Sequence, residues 1–179
     1  SYSVFLVGFL DDLKININPF KRLIIMMLLL FIFINFLPIK ILNIDIPLLT
    51  SLMSNHIFSS IFVLLCFLFV INGANLIDGF NGLLTINLII INIILTYINI
   101  NNDNLEFSIL IISQIIILFS FLLFNFPNAK IFFGDSGAYT MGALTSLNII
   151  ITNNLNPLIS SFFFCTLLFY IFFEVFFSF

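Results

Sequence analysis

Charge is what this sequence has least of. Only 7% of its 179 residues are Asp, Glu, Lys or Arg, against 62% hydrophobic, and a water-exposed surface needs about a quarter charged residues. A soluble globular domain is thereby excluded, and an integral membrane protein is implied. The five Lys and Arg form no basic stripe and the formal net charge is -3, so no nucleic acid is expected as a partner. Cysteine is nearly absent too. Cys66 and Cys165 both fall inside apolar runs, where they read as lipid-buried small hydrophobes rather than a disulfide or metal pair. No start Met, signal-peptide n-region or polar tail frames the chain, so the expectation is a fragment, truncated at both ends, of a larger protein. No internal repeat or coiled coil is present, and residues 1–179 read as one transmembrane domain. The 27 Phe and the many Ile and Asn fill spans and loops alike, which marks them as compositional bias without functional weight.

The abundant feature is the apolar run. Counted against the ~20 residues a helix needs to cross the hydrocarbon core, the runs predict an all-α, polytopic membrane helix bundle with one partial span and six fuller ones. The partial span ends near Leu10; the others cover roughly Leu23 to Leu37, Ile57 to Ala74, Leu83 to Ile100, Leu105 to Phe124, Ala138 to Thr152 and Leu158 to Phe177. All five prolines fall in the gaps, and Gly73, Gly79, Gly82, Gly134 and Gly137 cluster at two of them, as tight turns or close backbone approach to a ligand require. If the spans alternate, the gaps at 11–22, 75–82 and 125–137 share one side of the membrane. Lys14, Lys21, Arg22 and Lys130 lie on that side and only Lys40 on the other, so the positive-inside tendency makes it cytoplasmic. The alternation in IKILNIDIPL predicts a short hairpin or surface segment within Pro38 to Asn55 on the outer side. His56, Asp45, Asp103 and Glu106 fall on that outer side and are not promoted, whereas Glu174, at the cytoplasmic end of the last span, is a candidate structural or site-lining partner.

Charged groups at membrane depth cost roughly 2.5–3.5 kcal/mol each, so carboxylates in short breaks between apolar runs are read as functional. Three such breaks share the cytoplasmic side. GFLDDLK carries Asp11, Asp12 and Lys14; adjacent carboxylates hold a divalent cation or raise one pKa for base chemistry, though a solvated helix terminus is the plain alternative. NGANLIDGFNGL spaces Asn72, Asn75, Asp78 and Asn81 by three, which lines one helix face, converges on a ligand in a Gly-broken loop, or glues helices together. NFPNAKIFFGDSGAY sets Asp135 between Gly134 and Gly137 at the start of a span, where Ser136 and free backbone amides could meet an anion and Asp135 could equally be a cap. Capping does not explain three acidic loops on one face. Oxygen ligands suit Mg²⁺ shared with substrate phosphates, and the inferred chemistry is phosphoryl transfer at the membrane surface.

These three motifs, in this order, resemble the polyprenyl-phosphate N-acetylhexosamine-1-phosphate transferases of glycosyltransferase family 4. The resemblance implies about ten or eleven spans in the complete protein, the bacterial cytoplasmic membrane, an active site facing the cytoplasm, and Mg²⁺ as cofactor with Mn²⁺ as an admissible substitute. It also implies transfer of a sugar-1-phosphate from a UDP-N-acetylhexosamine to polyprenyl (undecaprenyl) phosphate, with release of UMP, and it leaves room for a homodimer. Carried over by motif, Asp135 is similar to the family's metal-binding Asp. Asp11 and Asp12 match the pair at the lipid-phosphate end, one acting as base or orienting the metal. Asp78 with Asn75 matches the nucleotide-sugar site, Asn125 aligns with an Asn ten residues before the metal Asp, Phe132 sits where an aromatic stacks on uracil, and Lys14 accompanies the Asp pair. Asn81 stands where many members have a second Asp, and Asn128 replaces a usual Pro; the first departure favours O-antigen or other surface glycans over peptidoglycan. A membrane carrier with broken helices and an inactive scaffold are the rival readings.

Overall fold

The computed structural model describes residues 5, 8, 9, 12, 18–37, 39–42 and 44–177. Every regular element among them is helical. Phe5, Gly8, Phe9 and Asp12 are helical, and eight helices follow: α1 Pro19–Phe36, α2 Pro47–Met53, α3 His56–Ile77, α4 Leu83–Asn101, α5 Leu105–Asn125, α6 Gly134–Leu155, α7 Ser161–Leu167 and α8 Phe169–Phe177.

The starts follow from local chemistry. Asn18 accepts from the Phe20 amide at 3.0 Å with Pro19 as first helical residue, a position where proline's missing N–H costs nothing. Asn55 caps α3 by accepting from the Ile57 and Phe58 amides, and Ser160 caps α7 through the Phe162 amide.

Among the described residues, three helices are long and apolar enough to span a membrane: His56–Ile77, Leu83–Asn101 and Leu105–Asn125. Three of the six fuller spans expected from the sequence meet that measure there. α6 falls short because it is the interior helix. It packs against α3 and α4, and its buried face carries Thr145, Ser146, Asn148, Thr152 and Asn153 alongside Ala138 and Ala143. At Gly142 a side chain would come within 3.1 Å of the Ile71 Cα, so only glycine lets α3 and α6 cross this closely. α5 is the opposite case, with 22% of its apolar window buried inside the protein.

The single span expected over Leu158 to Phe177 is broken at Leu168 into α7 and α8. No glycine or proline marks the break. The turn sends α8 onto α3, where Gly73 would, with any side chain, meet the Ile171 carbonyl at 2.8 Å. Of the hairpin or surface segment expected within Pro38 to Asn55, the described residues form a surface segment: α2, with no buried residue, and an irregular strap. Asn154 supplies the pairing a second strand would have given: it accepts from the Leu42 amide at 3.0 Å and donates to the Lys40 carbonyl at 2.7 Å.

The asparagines also correct the composition argument. Asn148 donates to Asn92 at 3.0 Å and to Gln114 at 2.7 Å, Gln114 donates to Thr145 at 3.2 Å, and Asn99 donates to Thr152 at 2.8 Å. This buried ladder ties α4, α5 and α6 together without water, as polar side chains do inside membrane bundles.

Candidate active site

Long-range contacts gather the three acidic breaks at one end of the bundle. Arg22, in the first turn of α1, pairs with Asp135 in the first turn of α6, Nη1 to Oδ2 at 2.7 Å. Tyr139, one turn along α6, donates to the same oxygen at 3.4 Å and accepts from Asn75 of α3 at 3.2 Å. The Arg22 guanidinium lies 5.7 Å from the Tyr139 ring centroid, within cation–π range. The strap, Asp45 and the start of α7 lie at the opposite end.

Asp12 is placed differently from the sequence reading. Its Oδ1 accepts from the Asp135 amide at 3.0 Å and its Oδ2 from the Ser136 amide at 3.1 Å. Burial alone would push its carboxyl up, but the Ser136 hydroxyl and these two amides outweigh it and hold Asp12 below the ordinary value. Asp78, buried at the end of α3, is pushed up to about 6 chiefly by burial. Hydrogen bonds from the Gly134 and Phe133 amides pull against that shift, and the Asp12 charge adds to it. The Asp135 and Ser136 amides, expected to be free for an anion at the α6 N-terminus, are therefore already engaged by the Asp12 carboxylate.

The chain geometry makes this possible. Gly134 has φ +66, a left-handed conformation that L side chains resist, and any Cβ there would sit 2.9 Å from Asp12 Oδ1. Gly82, at φ +74, starts α4 and donates its amide to Asn125 Oδ1 at 2.6 Å. Asn125 in turn donates to the Ile131 carbonyl at 2.6 Å and is 2% exposed; Asn81 donates to the Pro127 carbonyl at 3.1 Å. Both asparagines thus bind the 78–82 turn to the 126–133 loop. Phe132 is 51% exposed, as a stacking surface would be. Asp11 and Lys14 lie outside the described residues.

Arg22 and Tyr139 were not singled out by the sequence reading. Arg22 was counted only for topology, although an arginine in the first turn of an apolar helix facing three acidic loops was a usable signal. Glu174 accepts from Tyr170 at 2.9 Å and has no described contact with the acidic residues. Beside Arg22, a groove of about 540 Å³ opens between α1, α3 and α8, with Asn72 and Asn75 at its polar end and Leu23, Met26, Phe69 and Leu76 among its apolar walls.

Among the described residues no three His, Cys, Asp or Glu side chains converge to cage a metal. The donor chemistry fits Mg²⁺ nonetheless, since that ion takes one or two carboxylates and completes its shell with water and phosphate oxygens. Asp135, 25% exposed, is a partly accessible carboxylate of the kind such an ion takes.

The chain matches the family model described as glycosyl transferase family 4 over residues 1–153. It is also similar to phospho-N-acetylmuramoyl-pentapeptide-transferase from two strains of Streptococcus thermophilus, CNRZ 1066 and ATCC BAA-250 / LMG 18311. Each is 32% identical over 151 residues, covering 79% of this chain. The chain spans 44% of the length of these curated relatives. No solved structure matches it.

Proposed function

Because the chain belongs to glycosyl transferase family 4, we propose that it is the membrane-embedded core of an enzyme that moves an N-acetylhexosamine-1-phosphate from its UDP-sugar to polyprenyl phosphate. An oxygen of the lipid phosphate attacks the sugar-bearing phosphorus, the bond from that phosphorus to the oxygen bridging the two phosphates breaks, and UMP leaves with that oxygen. The product is a polyprenyl-pyrophosphoryl sugar for cell-envelope glycan synthesis.

The observation that carries this reading is the Arg22–Asp135 pair at the mouth of an apolar-walled groove. Two anions must be brought together, and their repulsion is the main barrier. Arg22 offers a permanent positive charge and planar donors suited to phosphate. The groove's Leu23, Met26 and Phe69 side suits an isoprenoid tail whose headgroup lies at Arg22. Asp135 would hold Mg²⁺, which would supply Lewis-acid neutralisation of the pyrophosphate charge. No base is required for the nucleophile, because a phosphate monoester with its second pKa about 6 is already ionised at neutral pH. The exposed Phe132 ring is the stacking surface for the nucleobase, on the cytoplasmic side where UDP-sugars are found.

Two features point to different donors. The names of the relatives favour UDP-MurNAc-pentapeptide, while Asn81 in place of a second Asp favours a simpler UDP-N-acetylhexosamine of surface-glycan synthesis. The test is UMP release by the full-length protein in membranes supplied with undecaprenyl phosphate and either UDP-GlcNAc or UDP-MurNAc-pentapeptide, with Mg²⁺ or with EDTA. Lipid- and metal-dependent release with one donor supports the reading and fixes the branch. Folded protein that releases no UMP from any UDP-N-acetylhexosamine would return it to the carrier or scaffold readings.

A further inference from the structure

One carboxylate that the sequence offers for catalysis is turned onto backbone. Both oxygens of Asp12 accept from successive amides of α6, those of Asp135 and Ser136. Two consecutive N–H groups at the start of one helix are thus held by a single side chain from a distant part of the sequence.

The fit around them is steric as well as polar. Gly8 also lies against this turn, and a Cβ there would come within 2.4 Å of the Ser136 Cα and 2.6 Å of the Asp135 carbonyl carbon. The helical residues Gly8 and Asp12 therefore meet the first turn of α6 backbone to backbone. Gly134 completes the joint, because a side chain there would collide with the Asp12 carboxylate.

We propose that Asp12 is a positioning residue, which fixes the first turn of α6 and through it the Asp135 carboxylate, rather than exchanging protons with substrate. Each Asp12 oxygen already accepts from an α6 amide, which lowers its basicity and orients it on the helix rather than on a substrate proton. The placement also explains why a carboxylate is needed: one carboxylate can accept from two adjacent amides, whereas Asn presents an NH₂ to one of them.

Only the activity arm of the test rests on the transferase reading. Hydrogen–deuterium exchange over residues 130–140 is measured on the full-length protein in lipid nanodiscs, for wild type, Asp12→Asn and Gly8→Ala. Loss of a hydrogen bond to a charged acceptor predicts exchange at the Asp135 and Ser136 amides roughly 10- to 100-fold faster in Asp12→Asn. Gly8→Ala, which removes no carboxylate, gives the Asp12→Asn pattern. Unchanged protection in both overturns the clamp. In the same Asp12→Asn preparation, kcat falls and the half-saturating Mg²⁺ concentration rises, while the pH dependence of kcat keeps its wild-type shape. Loss of the acid limb of that profile with amide protection intact makes Asp12 the base and overturns the proposal. If the wild-type protein shows no transferase activity, the function fails while the exchange arm still decides the clamp.

Discussion

Gly134→Ala isolates the joint at the start of α6 in one methyl group. The native residue has φ +66, and an L residue there costs about 1–2 kcal/mol. The added Cβ would sit 2.9 Å from Asp12 Oδ1 and 3.1 Å from Oδ2, so the carboxylate must move away. That displacement stretches hydrogen bonds of 3.0 and 3.1 Å to the Asp135 and Ser136 amides, and a bond to a charged group contributes about 1.5–3 kcal/mol. The sum is on the order of 3–5 kcal/mol against the native turn. At about 1.4 kcal/mol per tenfold, the expected loss of Mg²⁺-dependent UMP release is roughly 100- to 4,000-fold. Gly79→Ala is the control, since the nearest atom to a Cβ there is the Leu76 carbonyl oxygen at 3.9 Å, and activity within about twofold of wild type is expected. Near-normal activity in Gly134→Ala, at equal protein level in the membrane, would refute the steric and electrostatic reasoning together. Equal losses in both variants would refute it too, by showing that the glycines matter for a shared reason.

Asp135→Asn removes the charge that faces Arg22 at 2.7 Å and the carboxylate proposed to hold Mg²⁺; turnover is expected to fall by about 100-fold or more, and near-wild-type activity in Mg²⁺ would sink that proposal. Asp78 has its pKa raised from 3.8 to about 6, so between those values the native state holds a proton that the unfolded chain has released. Stability therefore falls as pH rises through that window and levels off above it, and thermal unfolding of Asp78→Asn should lose that slope; an unchanged slope assigns it elsewhere. Asp45 accepts from the Ser160 hydroxyl and, at 2.8 Å, from the Ser161 amide, a capping role worth about 0.5–2 kcal/mol. Asp45→Asn should lower thermal stability while leaving activity within about twofold, and a large activity loss would overturn the separation of the two ends of the bundle.

The plain reading of Asp45 as a solvated outer charge was half of the matter. It is exposed but also fastens the strap to α7, which sequence could not show because its partners lie 115 and 116 residues away. The same holds for Arg22 and Asp135, 113 residues apart. Asn92, Asn99 and Asn148 looked like filler because composition records how many asparagines there are, not that three helices bury them against one another.

What the sequence determined by itself is whatever depends on neighbours within a turn or two. Apolar run length predicted helices and prolines marked the gaps between them, because backbone hydrogen bonds inside a membrane must close within the segment. The acidic breaks stood out for a similarly local reason, the cost of charge at that depth. The order of its motifs carried the family as well. Tertiary structure alone decided what surrounds those carboxylates. Asp135 meets Arg22 while Asp12 meets amides, and a carboxylate's role is set by whichever donors packing brings within about 3 Å of it.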